Sequence, residues 1–176
     1  GYNVEIFSNN LVTLAIGWEM VGGASFLLIS FYRDRYLPVK NAVKVFSIYR
    51  LGDVGLLLAL WMTHHMLHGA HTFIQLQAPG SVAAQFDLQS LSGVFISVMI
   101  LVTAAAKSAQ LPFSSWLPRA MEGPTPSSAI FYGSLSVHLG VLLLLRSSPF
   151  WQDQPWVRVL IGVIGGGTAL LTSRIA

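Results

Sequence analysis

The chain has 176 residues, of which 53% are apolar and only 10% charged, with no cysteine and a formal net charge of +3. A soluble domain carries about 25% charged residues, so this composition, with a mean hydropathy of +0.63, excludes a soluble domain, a disordered segment and a coiled coil, and leaves an all-α polytopic membrane bundle. Without cysteine there is no disulfide framework, thiol nucleophile or cysteine-based metal site. The basic balance does not point to nucleic acid, because Lys and Arg gather in a connection between apolar runs.

The chain opens on Gly1, with no basic stretch ahead of its first apolar run, and is expected to be an internal piece (1–176) of a longer transmembrane domain. Five segments are predicted to span a bilayer: 9–31, 43–67, 91–111, 127–145 and 156–172. Each supplies the roughly 20 residues that cover a ~30 Å hydrocarbon core. The first holds Glu19 near its middle, where a carboxylate costs about 2.5–3.5 kcal/mol and so must face the bundle interior with a partner or a proton. The second holds Asp53, one turn after Arg50. That pair either anchors the helix end or belongs to an ion path.

The third segment carries Lys107, flanked by Ala104, Ala105, Ala106 and Ser108, small residues that let another helix come close. Pro112 follows five residues later and is expected to interrupt the helix at 110–112. A broken helix is tolerated at membrane depth only where protein or water receives the freed backbone groups. Lys107 therefore either carries a proton beside the break or snorkels to the inner interface. Gly123, Pro124, Thr125 and Pro126 separate this region from the fourth segment, in which His138 follows Ser134 by one turn and is a candidate proton relay.

The link between the first two segments holds Arg33, Arg35 and Lys40, with Lys44 at its edge; Arg119 follows the third segment and Arg174 the fifth. These connections are expected on the cytoplasmic side, with 68–89, Arg146 and Arg158 opposite. His64, His68 and His71 share a helical face, but no carboxylate or cysteine completes a metal site, so none is expected. Gly162 and Gly166 have the spacing of close helix packing rather than phosphate binding. The serines near His138 lack the acid of a catalytic triad.

Gly17-Trp18-Glu19-Met20-Val21-Gly22, Arg50-Leu51-Gly52-Asp53, Lys107-Ser108-Ala109-Gln110-Leu111-Pro112-Phe113, Trp116-Leu117-Pro118 and 120–129 (AMEGPTPSSA) resemble the antiporter-like subunits of respiratory complex I, of the chain 5 or L type. The resemblance implies inverted helical repeats, each with a broken helix, of which this chain would supply the fifth to ninth helices. It implies a proton-translocating subunit of the inner membrane rather than an enzyme. Lys107 would carry the proton, Glu19 would be its carboxylate partner, Asp53 a further acid of the network and Pro112 the helix break.

One stretch departs from that pattern. Tyr132 stands where complex I members carry His, and His138 follows six residues later, about 600° around a helix. In 128–140 (SAIFYGSLSVHLG) the chain is more similar to the DabB-type membrane subunit of the bacterial inorganic carbon pump. That resemblance implies cation flux coupled to bicarbonate uptake, with a carbonic-anhydrase-like DabA-type partner that carries zinc, and no cofactor in this chain. The alternatives are other complex I subunits as partners, a related cation antiporter, or a membrane scaffold without flux.

Overall fold

The computed structural model describes residues 1–68, 72–78, 89–130, 132 and 135–175. Its regular elements are helices, with a single isolated antiparallel bridge between Asn10 and Thr72 among the described residues. In order they are α1 (Tyr2–Phe7), α2 (Leu11–Ile29), α3 (Tyr36–Leu67), α4 (Phe73–Gln77), α5 (Leu91–Lys107), a 3₁₀ turn (Ser114–Trp116), α6 (Leu117–Ala120), α7 (Thr125–Ile130), α8 (Ser136–Arg146), α9 (Ser148–Trp151) and α10 (Pro155–Ile175). His71, Asp87 and Ser134 lie outside the described residues.

Helices α2, α3 and α10 are long and apolar enough to cross a membrane, whereas α5 and α8 are shorter apolar helices. The second predicted span starts earlier than expected, at Tyr36, so α3 runs for 32 residues, about 48 Å. The third ends at Lys107 rather than at 110–112. Within the fourth, α7 and α8 are the described α-helices, and Tyr132 and Leu135 between them have π-helical pairing.

Local chemistry sets these ends. Asn10 begins α2 by accepting a hydrogen bond from Thr13 N at 2.7 Å, and Ser90 begins α5 in the same way through Gly93 N. The end of α5 is earlier than the proline because in a continued helix the Pro112 ring would crowd the carbonyl four residues back, at Ser108. Ala109 takes a left-handed conformation (φ 52°), and Gln110 N reaches back to Ala105 O at 2.9 Å. This is the six-to-one bond of a Schellman stop. Two side chains receive further freed groups: Trp116 Nε1 donates to Ala106 O at 2.8 Å, and Leu111 N donates to Thr168 Oγ1 of α10 at 3.0 Å. The groups freed at Ala105, Ala106 and Leu111 are thus received by protein, as membrane depth demands.

Helix α5 is the centre of the bundle, packed on α3 along one side and α8 along the other. Gly52 and Gly55 bring α3 close: a Cβ at Gly52 would lie 2.8 Å from Ala106 Cβ, and Thr103 Oγ1 donates to Gly52 O at 2.9 Å. One apolar cluster joins Leu14, Trp18, Leu56, Ile100, Leu139 and Leu143. A second, around the break, joins Ile29, Val45, Tyr49, Trp116 and Tyr132. At one end Arg146 donates to Ile6 O and Ser8 O, and Phe73 N to Asn9 O; at the other, Asn41 meets Glu122. The Gly162/Gly166 stripe differs from expectation, because nothing described lies within 4 Å of a Cβ built at either residue.

Candidate proton-transfer site

The broken end of α5 places Lys107 at the level of Trp18 and Gly22, the middle turns of α2. Its side chain is 1% exposed, so it does not snorkel. Nζ donates to Trp18 O at 3.2 Å and lies 4.7 Å from the Trp18 ring centroid and 4.5 Å from that of Tyr49. Gly22 makes room for it, since a Cβ there would sit 3.3 Å from Nζ. An ammonium so desolvated is held by a carbonyl dipole and two ring faces, a weak substitute for water or a direct carboxylate.

Beside it runs a chain of charges. Glu19 pairs with Arg50, and Arg50 Nε lies 3.1 Å from Asp53 Oδ2, a close ion pair rather than an aligned hydrogen bond. Asp53 is 4% exposed, and its Oδ1 accepts from Trp18 Nε1 at 2.8 Å. Glu19, Asp53 and Arg50 are all within electrostatic reach of Lys107. The pairing of Asp53 with Arg50 is therefore present, but the direct partner of Glu19 is Arg50 rather than Lys107. The side chains of Glu19 and Arg50 remain 43% and 42% exposed, so at membrane depth water or another protein element must lie against them.

Trp18 is the part of this arrangement that sequence reasoning missed as a functional residue. Its indole N–H holds Asp53, its carbonyl holds Lys107 and its ring lies against the ammonium. Trp18→Phe keeps the ring but removes the donor, and is expected to destabilise the fold by about 1–3 kcal/mol through the orphaned carboxylate oxygen. Proton flux should fall severalfold; unchanged flux and stability in a vesicle assay and a thermal melt would contradict this role for the indole.

His138 does not join the cluster. It is exposed on α8 with Val141 and Leu145, whereas the opposite stripe of Ser136, Leu139, Gly140 and Leu143 faces the bundle. A 3.6-residue period puts positions 138 and 139 on different faces, and packing on α5 selects the latter. Tyr49 and Ser136 do reach the site, with their hydroxyls 3.2 Å apart. Tyr132 OH donates to Ser25 O at 3.2 Å, and its ring stands against Trp116. No cluster of metal-ligating side chains occurs among the described residues.

Residues 8–176 match the family described as NADH:quinone oxidoreductase/Mrp antiporter, transmembrane. Relatives include NADH-ubiquinone oxidoreductase chain 5 of Metridium senile, 37% identical over 97% of this chain and 27% of its own length. NAD(P)H-quinone oxidoreductase chain 5 of a Picosynechococcus strain is also 37% identical, over 97% of this chain and 26% of its own. The chloroplastic subunit 5 of Buxus microphylla is 36% identical, over 97% and 23%. The chain thus spans about a quarter of the length of these relatives. With its all-helical fold and membrane-length helices, it belongs to the transmembrane family of NADH:quinone oxidoreductase and Mrp antiporter subunits.

Proposed function

We propose that this chain forms part of a proton-translocating, antiporter-like subunit of a multi-pass inner-membrane complex, with Lys107 as the group that carries the proton. The observation behind this reading is a fully buried lysine at a helix break, held by Trp18 O and two aromatic faces beside a Glu19–Arg50–Asp53 ion chain. Arg50 is shared by two carboxylates. When it sits closer to Glu19, the charge of Asp53 is less compensated and favours the ammonium form of Lys107; when it sits closer to Asp53, the neutral amine is favoured. A movement of one guanidinium thus loads or unloads the lysine. The chain does transport work rather than bond-breaking chemistry.

The names of the relatives, chain 5 of NADH-ubiquinone and NAD(P)H-quinone oxidoreductases, favour a redox-driven pump of the complex I kind, with other subunits of that complex as partners. A second reading rests on Tyr132. Its hydroxyl is tied to the Ser25 carbonyl, and a phenol does not exchange protons near neutral pH as an imidazole does. A path that avoids this position fits the inorganic carbon pump, whose DabA-type, zinc-bearing partner would replace the quinone-reducing subunits.

Proton flux into vesicles holding the purified complex tests the first claim: Lys107→Ala should abolish it without loss of membrane insertion, and undiminished flux would refute it. The proteins that co-purify decide between the readings. Quinone-reducing and iron–sulfur subunits support the oxidoreductase, whereas a zinc protein with carbonic-anhydrase character supports the carbon pump.

A further inference from the structure

Glu5 lies on α1, ahead of every predicted span, yet it is 1% exposed. Its Oε1 has no hydrogen-bond partner among the described residues. A carboxylate in such a place must be neutral or must answer a nearby cation. The side chain is seated on α2 at Gly17, where a Cβ would stand 2.7 Å from Glu5 Cγ. The next residue, Trp18, offers the carbonyl that holds the Lys107 ammonium. Glu5 and Lys107 therefore approach neighbouring positions of one α2 turn from two different helices, and each lies in the other's electrostatic reach.

The side-chain charges around this turn do not balance. Lys107 of α5 and Arg50 of α3 supply two positive charges, whereas Glu5 of α1, Glu19 of α2 and Asp53 of α3 supply three negative ones when all are ionised. Arg50 is already engaged by Glu19 and Asp53, and Arg146 of α8 is turned to the carbonyls of Ile6 and Ser8. Glu5, the carboxylate without an arginine, is therefore the one left to answer the Lys107 charge.

We propose that Glu5 is a second proton-carrying group of the same path, exchanging its proton with Lys107. The inference rests on the proton-translocating reading above. In the transfer an N–H bond of the Lys107 ammonium breaks and an O–H bond forms on Oε1 of Glu5, the proton crossing through intervening water. Ammonium and carboxylate become amine and carboxylic acid, with no change in total charge. Gly17 is what admits the acid to this position.

The test uses the complete complex in vesicles. Glu5→Gln should lower proton flux by about 10-fold or more with insertion and assembly intact, and Glu5→Asp should restore part of it. In the infrared, the C=O stretch of a buried carboxylic acid should strengthen in Lys107→Met, where the acid loses its cation, and vanish in Lys107→Met/Glu5→Gln. If Glu5→Gln does not accumulate, Glu5→Asp in the Lys107→Met background should shift the frequency of that band, and an unshifted band overturns the proposal. Full flux in Glu5→Gln, with flux abolished in Lys107→Ala, overturns the role of Glu5 and leaves the role of Lys107 standing. Full flux in Lys107→Ala removes both.

Discussion

Replacing Lys107 by methionine should abolish proton flux and leave the bundle about as stable as before. Methionine has nearly the length of lysine and fills the space between the Trp18 and Tyr49 rings without bringing a charge into the interior. The Trp18 carbonyl loses a donor, which costs about 1–3 kcal/mol. Against this, the desolvation of an ammonium that is 1% exposed no longer opposes folding, and Glu5, which loses its cation, can take up a proton instead of remaining a lone buried charge. The two effects offset each other, so the melting temperature should move little. Flux should drop by about 100-fold or more, the contribution typical of a positioned acid–base group.

Lys107→Arg sharpens the point. Guanidinium keeps the positive charge but does not deprotonate in a protein, so it should also fail to conduct. Were Lys107→Arg to pass protons at the parental rate, charge alone would suffice and proton exchange at this position would be refuted. A purely structural lysine predicts the reverse of the Lys107→Met outcome: loss of the folded protein, with normal flux in whatever survives.

The break itself was legible because its causes are local. Pro112 and the surrounding breakers announce an interrupted helix, and a lysine among alanines announces a close packing face. The position of the stop was not, because it depends on Ala109 turning left-handed and on Trp116 and Thr168 arriving from elsewhere to take the freed groups. Glu19, Asp53 and Lys107 were found as charges in apolar runs, and the structure gathers them. The direct contact of Glu19 with Arg50 was not legible, since nothing in a sequence says that one arginine serves two acids. His138 was singled out for depth along the helix, but depth does not tell direction, and the face that packs on α5 is the other one. Glu5 escaped notice because it precedes the first apolar run, and its burial arises only when α1 lies against Gly17.

Gly140→Ala should be the most damaging single-methyl change in the bundle. A Cβ at this position would lie 2.5 Å from Ala104 O and 3.2 Å from Ala104 C, and would also meet Ser108 Oγ. The backbone of α5 cannot yield as a flexible side chain would, so α8 must move outward. That movement strains the Ser108 Oγ bond to Val137 O (2.6 Å) and the hydroxyl contact of Ser136 with Tyr49. It also loosens Leu139 and Leu143, which are 1% and 0% exposed. Overpacking of this kind costs typically 1–3 kcal/mol and occasionally more, and a rigid backbone neighbour on an already close helix pair places this substitution at about 3 kcal/mol. Flux should fall as well, because Ser108 adjoins Lys107 and both turn with the end of α5. Gly23→Ala is the control, since nothing described lies within 4 Å of a Cβ there and a helical Gly→Ala change is otherwise favourable by about 1 kcal/mol. Thermal melts of the two variants in the same membrane should separate them clearly; equal stability would mean that α5 and α8 do not approach each other at Gly140.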